Sequence, residues 1–262
     1  MATRVRLFAL TCGWLTGPMG GFLAGETGRL RVPVPCYLID HPRGLVLFDS
    51  GLHPVAQTDR AARLGSAARV FDVHFQPGEE VAARLAALGI EAGRIRYLIN
   101  SHLHFDHAGG NATIPNACLV VQRREWAAGF DADLAGQNYF DRRNYDLGHE
   151  VRQVDGEHDL FGDGRIVCLP TYGHTPGHQA LRVRLDDADV VLTGDACYLR
   201  RTLEDLHLPS IMYDRDQMLE SLQRLRRLRD AGARIVFGHD PGFWATVPQA
   251  PAEVRFASQG AA

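Results

Sequence analysis

The chain has 262 residues, 45% hydrophobic and 23% charged, the make-up of a soluble globular protein rather than a disordered or fibrous one. Twenty-eight Lys and Arg against 31 Asp and Glu leave a formal charge of −3, so the cationic surplus of a dedicated nucleic-acid binder is missing. No stretch reaches the ~18 uninterrupted apolar residues that span a bilayer, so no membrane partner is expected. Cys12, Cys36, Cys118, Cys168 and Cys197 are scattered singly, which favours a reducing cytoplasm over a disulfide scaffold. Arg4 and Arg6 ahead of an apolar run faintly mimic a signal peptide, but Thr11-Cys12-Gly13 breaks it early.

Strands are expected at residues 4–10, 34–39 and 45–48, with Pro42-Arg43-Gly44 turning between the last two, an antiparallel start. Between the first pair, the Gly-rich stretch 13–29 reads as a loop. Its Trp14, Leu15, Met19, Phe22 and Leu23 are too apolar for open solvent and need a cover. From Gly78 the period becomes helical, with Val81, Leu85 and Leu88 on one face and Gly89 as the stop. A short strand at 96–99 then delivers the chain into its most polar cluster. After a strand at 119–121 and a helix from Arg124, residues 130–160 predict nothing beyond loop and helix. Further strands are read at 165–169, at 181–185 as a half-exposed alternation, and at 190–193. An amphipathic helix is expected over Arg215–Asp230, with Met218, Leu222, Leu225 and Leu228 inward. A last strand at 234–237 ends at Gly238-His239. Strands interleaved with helices, without strict βαβ alternation, predict sheets stacked face to face with helices outside.

The polar cluster holds His102, His104, Asp106 and His107, four ligand-type groups in six residues. Leaving a strand, His102 and His104 point the same way and can grip one cation, while Asp106 and His107 turn towards another. Three later strand ends add His174, Asp195 and His239, each directly after a glycine that lets the backbone turn tightly. Seven donors are too many for one tetrahedral ion, so two ions fit better. Nitrogen and oxygen without thiolate suit zinc, and also iron, manganese or cobalt.

The run SHLHFDHAGGN at 101–111 resembles the HxHxDH signature of the metallo-β-lactamase superfamily. GHTPGH at 173–178, TGDACY at 193–198 and FGHD at 237–240 are similar to that superfamily's later metal motifs, in the same order. Within it the chain most resembles the N-acyl-homoserine lactonases, through VPCYLI at 34–39 before Asp49-Ser50-Gly51, the unbroken HFDHAGGN run, and DACY at 195–198. The resemblance implies an α+β fold, an αββα sandwich of two mixed β-sheets, as one domain over 1–262 with two similar lobes and the site at the sheet edges. It also implies one ion on His102, His104 and His174, a second on Asp106, His107 and His239, with Asp195 bridging. His178 would be a structural neighbour. The stretch 13–29 departs from the family pattern.

Two divalent ions sharing a water bring its pKa from 15.7 towards ~7, so a bridging hydroxide is expected as nucleophile on a lactone or small-ester carbonyl. Tyr198 is the expected donor to the resulting oxyanion, and Asp106 the expected carrier of the proton that the leaving alkoxide needs. Asp49 reads equally as a turn residue or as the carboxylate that orients a metal-bound His. Trp14, Met19, Phe22, Leu23, Phe105, Ile211 and Met212 are candidate walls for an acyl tail. The rivals are other hydrolases of the same scaffold, acting on thioesters, sulfate esters, phosphotriesters or β-lactams, and a non-catalytic relative. The short segment after His239 argues against the thioesterase. The expected partner is a small lactone or ester, with a homodimer left open.

Overall fold

Period-2 alternation along the central strands decides the architecture. In a computed structural model, which describes residues 4–256, Val46, Phe48, Ile99 and Val120 face one way into a core shared with Ile166, Cys168, Leu181 and Val190. Their neighbours Leu47, Leu98 and Leu119 face the other way, onto Val81 and Leu85 of the helix Val81–Ala86. A strand that is apolar on both faces needs a cover on both, and the chain meets this need with four layers. The first sheet has β1 (Arg6–Pro18), β2 (Arg29–His41), β3 (Gly44–Phe48), β4 (Asp72–His74), β5 (Ile95–Ile99), β6 (Cys118–Gln122) and β7 (Val151–Val154), in the order β4-β1-β2-β3-β5-β6-β7. The second has β8 (His158–Asp159), β9 (Ile166–Pro170), β10 (Gln179–Arg184), β11 (Asp189–Leu192) and β12 (Arg234–Val236), in the order β12-β11-β10-β9-β8.

Both sheets are mixed. The pairs β1–β2 and β2–β3 are antiparallel as expected, whereas β3–β5, β5–β6, β6–β7 and β11–β12 are parallel. The helix Arg215–Asp230 begins on Asp214, whose carboxylate accepts from the amides of Asp216 and Gln217, an ordinary N-cap. Met218, Leu222 and Leu225 pack on Leu169, Ala180, Val191 and Ile235 of the second sheet, with Leu228 at the margin. The expected αββα sandwich is therefore the fold observed. Among the described residues no helix is long and apolar enough to cross a membrane.

Two sequence expectations need correction. The stretch 13–29 is a loop only at 23–28: β1 continues to Pro18, a helical turn spans Met19–Phe22 and β2 begins at Arg29, with Trp14↔Pro33 through Pro18↔Arg29 paired after a bulge between Thr11 and Trp14. Glycine hid this strand from propensity, yet the fold requires it, since a Cβ on Gly17 would sit 2.4 Å from the Phe71 ring. Residues 130–160 hold, besides the helix Ala132–Gln137, the edge strands β7 and β8. These are too short to carry a readable alternation. The half-exposed alternation expected at 181–185 is found in β10, where Leu181, Val183 and Leu185 are buried while Arg182 and Arg184 turn outward.

Candidate metal centre

All seven expected donors converge at the edge where the two sheets open. His102, His104, His174 and Asp195 form one cluster and Asp106, His107 and His239 a second, the ligand atoms within each lying within 4.8 Å of one another. They arrive on loops from β5, β9, β11 and β12. Gly173 and Gly194 have positive φ, while Gly238 is needed for close approach, since a Cβ there would lie 2.3 Å from the Gly194 carbonyl oxygen.

Hydrogen bonds to the far nitrogens fix the tautomers. His107 Nδ1 lies 2.8 Å from Asp49 Oδ2, His239 Nδ1 2.7 Å from the Pro33 carbonyl and His104 Nε2 2.8 Å from the Asn138 carbonyl. Carbonyls and carboxylates only accept, so those nitrogens carry the protons and the opposite ones present bare lone pairs. Ser101 completes the set. Its hydroxyl donates to Asp49 Oδ2 at 2.8 Å and accepts from His102 Nδ1 at 2.9 Å, and its amide donates to Asp49 Oδ1 at 2.7 Å. Asp49 therefore reaches imidazoles of both clusters, directly at His107 and through Ser101 at His102, while its own backbone turns with φ 58°.

The lone pairs then face one another. His104 Nδ1 is 2.9 Å from His102 Nε2 and 3.1 Å from His174 Nε2. Asp195 Oδ1 is 3.1 Å from His107 Nε2 and 3.0 Å from His239 Nε2, and its Oδ2 is 3.4 Å from His174 Nε2 and 3.7 Å from His102 Nε2. His107 Nε2 and Asp195 Oδ1 are buried with no hydrogen-bond partner among the described residues. Opposed acceptors at such distances repel unless positive charge lies between them, so the donor set fits a pair of divalent cations.

Electrostatics agree. Burial holds His102 and His174 well below the usual imidazole range, in the neutral form that a ligand needs. In the second cluster burial pushes His107 and His239 downward, but Asp195 and Asp106, with Asp49 also acting on His107, outweigh it and raise both. Burial would raise Asp195, yet His107 and His239 hold it well below the usual carboxylate range. The space around Asp195 Oδ1 thus attracts positive charge. Asp106 Oδ2 stands 3.7 Å from both His107 Nε2 and His239 Nε2 and is the carboxylate nearest solvent.

Two neighbours act on these loops without offering a donor. His178 takes the Asp195 amide on Nε2 at 3.0 Å, and its Nδ1 lies 2.9 Å from Thr171 Oγ1, so it holds Asp195 in place. The fully buried Glu125 was not singled out in the sequence. Its Oε1 accepts from the Leu103 amide at 3.1 Å, and its Oε2 from the Thr175 hydroxyl at 2.9 Å and the Gly177 amide at 2.7 Å. It ties the loop of His102 and His104 to the loop of His174. A single acid in a helix's first turn gives no sequence signal of that role. Asp240 is spent on capping Pro241–Trp244 and on the Arg200 amide.

A cavity of about 320 Å³ opens on both clusters. Phe22, Phe105 and Ile211 line it as expected, beside Leu15, Val32, Val70 and Phe71. Trp14, Met19 and Leu23 do not. On β1 the alternation aims Leu15 inward and leaves Trp14 under the Arg31 guanidinium, while Leu23 is fully buried and Met19 packs beside it. Met212 lines an adjoining cavity of about 140 Å³ instead. The Tyr198 hydroxyl lies 3.3 Å from His174 Nδ1, with its ring edge-on to Phe22 at 5.5 Å.

A two-sheet sandwich with paired His/Asp clusters at its open edge is the architecture of one class of metal-dependent proteins. The chain belongs to the metallo-beta-lactamase superfamily, whose family model matches residues 29–239. It is 34% identical to the N-acyl homoserine lactonase AttM of Azorhizobium caulinodans over 258 residues, 95% of this chain and 98% of that one. It is 31% identical to the N-acyl homoserine lactonase AiiA of Bacillus thuringiensis subsp. kurstaki over 215 residues, 80% and 82% of the two chains. Among solved structures it superposes with a TM-score of 0.87, at 26% identity, on an N-acyl homoserine lactone hydrolase with the product N-hexanoyl-L-homoserine bound at its catalytic metal centre. That match covers 97% of this chain and 100% of the other.

Proposed function

We propose that this chain is a metal-dependent hydrolase that opens the lactone ring of N-acyl homoserine lactones. The observation that carries the reading is the meeting of paired donor clusters with a mostly apolar cavity at Tyr198, a site shaped for a polar ring on an aliphatic tail. His102, His104 and His174 would hold one ion and Asp106, His107 and His239 the other, with Asp195 standing between them. When bound, such ions lower the pKa of water towards ~7 and polarise a carbonyl. A thiolate-free nitrogen and oxygen set supports zinc, and accepts iron, manganese or cobalt as well.

The chain's own groups do the rest. With His174 Nδ1–H donating to the Tyr198 oxygen, the phenol can turn its proton from Asp195 to the substrate carbonyl and stabilise the oxyanion. Burial, then Asp195 and Asp106, hold the phenol well above its usual pKa, so it remains a donor. Asp106 would take the proton released by the attacking water and pass it to the ring oxygen as the carbonyl carbon–oxygen bond breaks. Phe22, Phe71 and Phe105 exclude water from the acyl side. The five cysteines are free and buried, which supports residence in the reducing cytoplasm.

Ring opening yields a carboxylic acid that ionises, so a pH-indicator assay reads it directly. A lactone series of varied acyl length should be turned over well ahead of a thioester, a phosphotriester and a β-lactam. Equal or faster turnover of any of these controls would displace the reading.

A further inference from the structure

Tyr139 follows Asn138 at the end of the helix Ala132–Gln137 and adopts a left-handed backbone, φ 57°. The Tyr139 amide donates to the Gly136 carbonyl at 3.3 Å and the Phe140 amide to the Ala135 carbonyl at 2.9 Å, a helix stop at which glycine is the favoured residue. A bulky side chain there carries conformational strain that glycine would relieve. The fold gives the ring little in return. It is 58% exposed and its hydroxyl makes no hydrogen bond among the described residues. Backbone strain kept without a packing reward points to a task outside the fold.

The ring's position names the task. The apolar cavity and its smaller, more polar neighbour share four lining residues: His104 and His174 at the metal clusters, and Tyr139 and Ile211, both exposed, at the mouth. On one side stand Phe71 and Phe105, on the other Gln137 and Asn138. We propose that Tyr139 is a specificity-determining residue whose ring, with Ile211, walls the apolar cavity off from the polar one and confines the substrate's aliphatic tail to the apolar side. This rests on the lactonase reading and extends it to tail selection. The strained backbone is kept because it sets that ring at the mouth while the preceding carbonyl, on Asn138, still receives His104 Nε2–H.

The test uses the metal-loaded enzyme with N-butanoyl and N-decanoyl homoserine lactones, comparing wild type with Tyr139→Gly, Tyr139→Asn and Tyr139→Phe. Glycine and asparagine accept the left-handed backbone and remove the ring. Both should melt no lower than wild type and keep its metal content. Each should raise KM for the decanoyl substrate about tenfold, the loss of one aromatic apolar contact, with little change for the butanoyl substrate or in kcat. Phenylalanine should retain most of the decanoyl-to-butanoyl preference. A preference unchanged within about twofold in the glycine and asparagine variants overturns the proposal, as does loss of metal or melting temperature in both. Wild type inactive on every lactone would instead refute the lactonase reading, a separate result.

Discussion

His239 donates its Nδ1–H to the carbonyl oxygen of Pro33 across 2.7 Å, joining positions 206 residues apart in the chain. The bond leaves Nε2 bare and aimed at Asp195 Oδ1, 3.0 Å away. Because Pro33 is a partner of Trp14 in the long hairpin of β1 and β2, the last donor of the centre is oriented by the first strands of the fold. Backbone as well as carboxylates therefore orients the donors of the centre.

Asp49 exerts the same control on the other imidazoles, through His107 Nδ1 and through Ser101 to His102. Replacing Asp49 with Ala should weaken metal binding about 10–100-fold, read by competition with a chromophoric chelator. Unaltered affinity would reduce Asp49 to a turn residue.

Asp106 has one oxygen 3.7 Å from each of two imidazoles and the greatest solvent access of the clustered carboxylates. Asp106→Asn should keep part of the metal and lose about 10²–10⁴-fold in kcat, the range of a lost proton carrier. Near-normal turnover at full metal occupancy would rule out that role.

Tyr198→Phe keeps the ring against Phe22 and His239 and removes only the hydroxyl. We expect kcat to drop about 10²-fold, the cost of one oxyanion donor, with KM and melting temperature nearly unchanged. A variant that loses only affinity would place the hydroxyl in ground-state binding.

Glu125→Gln should loosen the metal centre although Glu125 touches no donor atom of it. Burial pushes its pKa up to about 7, yet three donors converge on the carboxylate, and an amide must turn its own NH₂ towards one of them. An unmatched buried donor costs about 1–3 kcal/mol. The urea midpoint should fall accordingly, and the cluster of His102, His104 and His174 should lose metal first. Wild-type midpoint and metal content together would contradict this account.

His178 gives a pH signature. Burial lowers its pKa to about 3, against ~6.5 for an unfolded histidine, so protonation favours the unfolded chain. Its contribution is complete above about pH 6.5 and is lost as pH falls towards 3, by up to about 1.4 kcal/mol per unit. Between pH 6.5 and 5 the urea midpoint of His178→Asn should therefore fall less steeply than that of wild type in the same metal buffer. Parallel slopes would show that the ring does not titrate on unfolding.

The seven donors were legible in the sequence because they stand in short runs of uncommon residue types at strand ends, where local spacing already limits which side chains share a direction. The helix Arg215–Asp230 was legible for the same reason, since a period of 3.6 needs no partner to be read. Tertiary structure alone decided that Asp195 turns one oxygen to each cluster, that Glu125 binds the loop of His102 to the loop of His174, and that Leu15 rather than Trp14 faces the cavity. It also brought in Phe71, Val70 and Tyr139, which look like any packing or surface residue until distant strands meet. Local periodicity encodes which way a side chain points within its own element. What it meets there depends on long-range pairing, such as the glycine-bearing hairpin of β1 and β2, that no window of sequence contains.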